Sequence, residues 1–282
     1  MKVFVIVPTH NKEHLIEQVY DGIASNISKE LDYKIIFIID GCTDNTEKIL
    51  NDYTNKHNLQ DNTVLLHTPD LHEIRSLNTG LRYVESELNP SPDDLVFTVQ
   101  DDCVIQEPKF DLYFKKLNEK YKNLGRISWR LGLSLHTDGT TLLEKDFVES
   151  EFGHWAVESR REKDTGEPRR FTPPAYKEIK HRQFAITEAV IRSPTCVLWK
   201  RYKEVGFYCE DLVPFGNDCH EMSIRMNKAG YKNGILALKY ESDIDWGSTR
   251  EKDKTEYNSK LGEIYDRNRK RVLQIHKDYF KL

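Results

Sequence analysis

Residues 95–102 read Leu95-Val96-Phe97-Thr98-Val99-Gln100-Asp101-Asp102: five apolar or β-branched positions that run out into an amide and two carboxylates. A run that short and that uniformly apolar predicts a strand buried on both faces. Two earlier stretches repeat the form. Val3-Phe4-Val5-Ile6-Val7 stops at Pro8-Thr9, and Ile35-Ile36-Phe37-Ile38-Ile39 stops at Asp40-Gly41. Each delivers polar or acidic groups to its C-terminal end, the edge at which open α/β sheets bind ligands. The pattern points to a site for a metal ion and a phosphorylated ligand.

The segments between these runs carry helical periodicity. Leu15, Ile16, Val19, Tyr20, Ile23 and Ile27 follow the 3.6-residue repeat, with Asn11 placed to cap the helix. Asp44-Asn45-Thr46-Glu47 has the form of a capping-box variant ahead of Ile49, Leu50 and Tyr53. Val64-Leu65-Leu66 reads as a short strand, and Ile74 to Leu88 as a helix with Leu77, Leu81, Val84 and Leu88 on one face. This alternation predicts an α/β fold with a mainly parallel, Rossmann-like sheet flanked by helices. The second half is less regular. Its pattern gives a strand over 127–135, a charged loop over 157–183 and a strand with a short helix over 190–206. A helix over 218–230, a strand over 235–238 and a basic helix over 256–280 follow. The expected organisation is an α/β half (1–105), a smaller mixed region (106–255) and a helical tail (256–282).

Composition removes several classes. With 42 Lys and Arg against 46 Asp and Glu, the net charge is −4, which gives no global attraction to nucleic acid. The five cysteines form no Cys-x-x-Cys pair and are odd in number, which fits reduced thiols in a cytosol-like compartment. No apolar run approaches the roughly 20 residues of a membrane span. Met1-Lys2 leads into an apolar run too short for a signal-peptide core. The expectation is a cytoplasmic protein with at most peripheral membrane contact through the basic tail helix.

Five motifs occur in one order. They are Val5-Ile6-Val7-Pro8-Thr9-His10-Asn11-Lys12, Ile39-Asp40-Gly41-Cys42-Thr43-Asp44-Asn45-Thr46 and Arg75-Ser76-Leu77-Asn78-Thr79-Gly80-Leu81, then Val99-Gln100-Asp101-Asp102, and last Val205-Gly206-Phe207 with Gly216-Asn217-Asp218, Arg225 and Ala229-Gly230-Tyr231. Together the chain resembles the family 2 glycosyltransferases of the GT-A fold over about residues 3–250. The resemblance implies an inverting transferase that moves a sugar from a nucleotide-diphospho-sugar, UDP-linked by preference, to a glycan, lipid-linked or other hydroxyl acceptor, with Mn²⁺ or Mg²⁺.

The residues fit that chemistry in kind. Asp40 can accept the imide N–H of a uracil-type base, with Pro8, Thr9 and Asn11 lining the pocket, or it can simply open the turn before Gly41. Asp44 is explained by capping alone. Arg75 can reach phosphates or base, or be a surface arginine, and Asn78-Thr79-Gly80 would bring its helix close to the sheet. A divalent cation held by one or two carboxylates offsets the charge of a departing diphosphate. Adjacent strand side chains point to opposite faces, so one carboxylate aims at the metal. By the resemblance that is Asp102, with Asp101 left to contact the ribose or to orient the site and Gln100 able to hydrogen-bond the ribose. Gln100 stands where the family has its first Asp, and it brings no charge.

An inverting transfer also needs a base near the acceptor hydroxyl. Asp218 is the candidate. Asp218-Cys219-His220-Glu221 is at the same time a capping-box pattern, and Asn217-Asp218 departs from the family's Glu-Asp, so Glu221 is an alternative base. Asp243 and Asp245 lie close to where relatives place a metal-binding His, and Asp245 is the second candidate metal ligand. His154-Trp155 falls in the region where relatives meet the acceptor, or is a packed loop anchor, and the basic stretch 157–183 can clamp an anionic acceptor or diphosphate, or be a solvated face. Two competing readings remain: a nucleotidyltransferase, against which the lack of glycine in Pro8-Thr9-His10-Asn11 counts, and a catalytically degenerate sugar-nucleotide or glycan-binding module.

Overall fold

The computed structural model describes residues 1–129, 181–187, 189–190, 193–242 and 261–280. The expected alternation is present. Strand β1 (Lys2–Thr9) leads to helix α1 (Ile16–Asn26), β2 (Asp32–Asp40), α2 (Thr46–Lys56), β3 (Thr63–Thr68), α3 (His72–Glu87) and β4 (Leu95–Thr98). The first four strands are mutually parallel, with β1 between β2 and β4 and β3 beyond β2. Their apolar runs are continuous because the sheet is covered twice. Val3, Val5 and Val7 pack towards α1 and α2, while Phe4 and Ile6 face Ile74, Leu77 and Leu81 of α3.

Gly80 sets the α3 contact. A Cβ there would stand 2.5 Å from Ile6 Cγ2, so only glycine lets the helix lie this close to the sheet.

The second half extends the same sheet with mixed polarity. After β5 (Val104–Ile105) and α4 (Phe110–Lys120) come β6 (Leu124–Ser128), β7 (Phe184–Thr187), β8 (Thr195–Leu198) and α5 (Trp199–Val205). Then follow α6 (Asp218–Lys228), β9 (Lys232–Leu236), β10 (Tyr240–Glu241), α7 (Leu261–Ile275) and α8 (Lys277–Phe280). The sheet order is β3-β2-β1-β4-β8-β6-β9-β7, and β8 is antiparallel to both β4 and β6. The two halves of the sequence thus share one sheet, joined at β4–β8. Strands β5 and β10 form a separate antiparallel pair. No helix among the described residues is long and apolar enough to cross a membrane.

Several local expectations are corrected. Asn11 does not cap α1: it has φ 47°, and its side-chain oxygen accepts from Thr43 N–H (2.8 Å), while Lys12 O accepts from Leu15 and Ile16. Asp44 and Glu47 form no capping box, because α2 starts only at Thr46. Asp44 accepts from the N–H groups of Thr46 and Glu13, and Glu47 pairs with His67. The strand expected over 127–135 begins earlier, at Leu124, and is described only through Ser128. His154, Trp155, most of the 157–183 stretch, Asp243 and Asp245 lie outside the described residues.

Candidate active site

The ends of β1, β2 and β4 are tied to one another before any ligand is considered. His10, the residue after β1, is the knot. Its N–H donates to Asp101 Oδ2 (3.0 Å), and its ring Nδ1–H donates to the main-chain oxygen of Asp40 (2.6 Å). Asn11 N–H donates to Cys42 Sγ, and the Cys42 thiol donates to Thr9 O. Thr9 is buried, with its hydroxyl on Val7 O. Pro8, Thr9 and Asn11 therefore do lie beside Asp40. Asn11, however, spends its side chain on the second loop.

Asp40 is 3% exposed. Its Oδ1 accepts from the Thr68 hydroxyl and from Leu71 N–H, both at 2.6 Å, so this carboxylate also braces the loop after β3. Oδ2 is the oxygen left to a ligand.

Beyond β4 the chain turns. Val99 N–H still bonds Ile6 O, but Asp101 and Asp102 sit on a turn rather than on a strand, so strand alternation does not set their directions. Gln100 is fixed at both ends: its N–H donates to Ser193 Oγ (2.7 Å) and its side-chain amide to Glu73 Oε1 (2.6 Å). Glu73 thereby adds a third carboxylate to the neighbourhood. Burial pushes the Asp101 carboxyl up to about 7, with Lys12 opposing and the charges of Asp102 and Glu73 adding to the rise. The Cys42 thiol responds to the same surroundings. Burial first, then Asp44, Asp101 and Asp40, push it up to about 11.

One oxygen of Asp102, Oδ1, is buried with no hydrogen-bond partner. A buried carboxylate oxygen left without a donor is costly unless something cationic meets it. Adjacent carboxylates with one orphaned oxygen fit a hard divalent cation that takes one or two protein oxygens and draws the rest from phosphate and water. Among the described residues no group of three or more His, Cys, Asp or Glu is arranged to hold an ion. Asp245 lies outside the described residues.

Helix α6 approaches the same edge from the other half. It feeds β9, which runs parallel to β6, so α6 runs back along the sheet and its N-terminus stands at the C-terminal edge of the strands. Asp218 is its first residue, buried, accepting from Gly216 N–H (3.2 Å). The loop before it is held by α7. The Asn268 side-chain amide donates to Leu212 O (2.7 Å), Phe215 O (2.8 Å) and Gly216 O (3.1 Å). Arg267 reaches Val213 O. Gly216, at φ 94°, has no room for a Cβ, which would stand 2.7 Å from the Tyr265 ring. The basic tail is thus largely spent inside the molecule, since Arg269 pairs with Asp266 and Arg271 with Asp211.

Glu221 is not a free base. It is 2% exposed, and both oxygens are taken: Oε2 by Arg225 (2.7 and 2.9 Å) and Oε1 by the His276 ring (3.1 Å). No capping box links it to Asp218, because α6 begins at Asp218 and Glu221 turns to these partners instead.

Asn78 is likewise absent from the strand-end site. It is buried under residues 208–210, donating to Tyr208 O and Glu210 Oε1 and accepting from Tyr208 N–H. Arg75 is half-exposed near the edge, with Nε 3.6 Å from Glu210. His10 and Lys12 had no role in the sequence reading. Their signal was their place directly after β1.

Comparison with known proteins gives a consistent picture. The family model "Glycosyl transferase family 2" matches residues 4–129. A poly(ribitol-phosphate) beta-glucosyltransferase of Bacillus spizizenii is 27% identical over 128 residues, covering 45% of this chain and 19% of that protein. This chain therefore spans about a fifth of the length of the curated relative it matches. Among solved structures, GalNAc-T7 with UDP, GalNAc and Mn²⁺ aligns over 100% of this chain and 49% of its own, with TM-score 0.66 and 12% identity. S. aureus TarS aligns over 86% of this chain and 37% of its own, with TM-score 0.53 and 15% identity. A mannosyltransferase from Pyrobaculum calidifontis in complex with GDP-Man and Mn²⁺ aligns over 84% of this chain and 55% of its own, with TM-score 0.51 and 16% identity. The fold is GT-A.

Proposed function

We propose that this chain, whose residues 4–129 match the model of glycosyl transferase family 2, is an inverting, metal-dependent glycosyltransferase. It moves a sugar from a nucleotide-diphospho-sugar, UDP-linked by preference, to an acceptor hydroxyl in glycan or polysaccharide synthesis. The observation that carries the reading is the turn after β4, where carboxylates crowd and an Asp102 oxygen is buried without a partner. That the similar structures hold UDP with Mn²⁺ and GDP-Man with Mn²⁺ supports it.

Each residue has a place in the transfer. Asp40 Oδ2 and the main chain around Pro8 and Thr9 receive the base. Asp101, fixed by His10 N–H, faces the ribose. Asp102 would hold the cation, with Asp245 as the second proposed ligand. When bound, a Mn²⁺ or Mg²⁺ ion supplies positive charge to the leaving diphosphate. Arg75 reaches the phosphates from the α3 side. Asp218 takes the proton of the acceptor hydroxyl as its oxygen bonds to C1 and the C1–phosphate bond breaks. The burial of Asp218 keeps bulk water from competing for that proton.

The test is a panel of UDP- and GDP-sugars with and without Mn²⁺, read by melting temperature and by release of nucleoside diphosphate. Nucleotide and Mn²⁺ together are expected to stabilise the protein more than either alone, by about 2.7 kcal/mol at 100 times Kd. Release of diphosphate should require the cation. Binding without turnover across many acceptors would make the chain a sugar-nucleotide-binding module, and pyrophosphate release from a nucleoside triphosphate would make it a nucleotidyltransferase.

A further inference from the structure

Behind the start of α6 the structure carries a buried positive charge with no ion-pair partner among the described residues. Arg126, on β6, is 0% exposed. Its side chain points to the face that α5 and α6 cover. Nη1 donates to Cys219 O (2.8 Å) and, at 3.4 Å, to Ser223 Oγ. Nε and Nη2, the two nitrogens of the guanidinium's side-on fork, are buried with no hydrogen-bond partner. No carboxylate among the described residues pairs with this guanidinium. An arginine keeps its charge in proteins, and an uncompensated buried charge costs several kcal/mol.

The orphaned groups are not scattered. The Arg126 guanidinium carbon lies 5.9 Å from the Tyr208 ring centroid, and the Tyr208 and Tyr202 rings are 6.4 Å apart. The two tyrosine hydroxyls face each other and have no other hydrogen-bond partner, and both ring nitrogens of His220, one residue beyond the carbonyl that Arg126 holds, are buried without partners. His220 feels both Arg126 and Asp218, and burial lowers its ring to about 4, so it is neutral at pH 7 and offers one N–H and one lone pair. Two orphaned nitrogens of one cation and four under-used polar atoms of its neighbours thus share one region. Each would cost about 1–3 kcal/mol if it stayed so.

We propose that the fork of Arg126, with Tyr202, Tyr208 and His220, is an occluded binding site for one oxyanion of the phosphate class. The fork offers two parallel N–H groups at a fixed spacing, which matches two oxygens of a phosphoryl group and gives a charge-assisted bidentate contact. The tyrosine hydroxyls and the imidazole N–H serve the remaining oxygens. Water could fill the hydrogen bonds but not balance the charge, so an anion and a water cluster make different predictions. The site is separate from the turn that carries Asp101 and Asp102, and its test needs neither donor nor acceptor.

Inorganic phosphate is titrated into the full chain by calorimetry, and melting temperature is followed at constant ionic strength with chloride as the exchanged ion. Saturable binding is expected, with a rise of about 5 °C at 100 times Kd. Arg126→Gln should abolish both. Tyr208→Phe, which keeps the ring and drops one hydroxyl, should weaken binding about 5-fold and serves if the arginine variant does not fold. Dimethyl phosphate distinguishes the source: binding of inorganic phosphate alone assigns a free ion, and binding of both assigns a phosphoryl group carried by a larger molecule. Absence of saturable binding overturns the proposal. So does a melting shift that persists undiminished in both variants, because general exclusion of phosphate from protein surfaces would then explain it.

Discussion

The two halves of the site are built in different ways. On the strand-end side, the polar groups follow their strands directly. Asp40 ends β2, His10 follows β1, and Asp101 and Asp102 follow β4 within a few residues. These loops brace one another, with His10 bonded to Asp40 and to Asp101. On the α6 side, Asp218 depends on a helix far along the chain, since Asn268 of α7 holds the three carbonyls of the loop that leads to it. The lesson is a division of labour. Local order places the groups that would read the donor, and long-range packing sets the geometry of the group that would act on the acceptor. Changes on the two sides should therefore fail differently, the first in chemistry with the fold intact and the second in both.

The largest effect is expected on the strand-end side. Asp102→Asn should lower turnover roughly 10⁴-fold, from several kcal/mol of lost metal-borne stabilisation at about 1.4 kcal/mol per decade. Its melting temperature should hold, because the oxygen it neutralises has no partner to lose. A variant that melts early but still turns over would break the comparison. Asp218→Asn comes next, with transfer falling about 10³-fold and donor binding retained. If it loses stability and keeps its rate per folded molecule, its carboxylate serves the Gly216 turn and nothing more.

How much of this could be read from the chain follows the same division. Strands β1, β2 and β4 were legible because each is an apolar run buried on two faces, and the half-buried edge strand β3 because its short Val64-Leu65-Leu66 run stands out; both signals are local. The position of the paired carboxylates was legible for the same reason. Their direction was not, since β4 ends at Thr98 and a turn replaces the expected alternation. The bonds of Asn78 left no trace in the chain because its partners, Tyr208 and Glu210, are some 130 residues away. Glu221 did leave a trace. Arg225 stands four positions on, and such a pair on a helix is a structural signal. His276, the other partner, could be found only in three dimensions. The unpaired Arg126 gives no sequence signal, because an arginine in a strand becomes informative only when its neighbours are seen to offer no charge.

Glu221→Gln sharpens the contrast from the α6 side. Removing one member of a buried ion pair costs about 3 kcal/mol or more, here a fall of about 6–10 °C in melting temperature. The pH dependence carries the proof. Burial raises the Glu221 carboxyl, but the His276 hydrogen bond and Arg225 outweigh it, so in the fold it lies below its ordinary 4.5. A depressed carboxylate contributes stability above its unfolded value and loses it as pH falls through the folded one. The gap between the parent and Glu221→Gln should be full at pH 7 and close steadily below pH 4.5. A gap that does not change with pH would mean that packing, not charge, ties α6 to the C-terminal helices.

The smallest effect is expected at Arg75, and it separates two readings of one residue. Its Nε is 3.6 Å from Glu210, the side chain is 48% exposed, and Glu210 keeps Arg82 and Asn78 as partners. Exposed pairs of this kind contribute about 0–1 kcal/mol, so Arg75→Ala should move the melting temperature by about 1 °C at most. Its effect on the donor is a different quantity. If the guanidinium meets a phosphate, one charge-assisted hydrogen bond is lost and the donor KM rises about 10-fold with kcat little changed. An unaltered KM would return Arg75 to the surface, and the reading of the donor would then rest on the ends of β1, β2 and β4 alone.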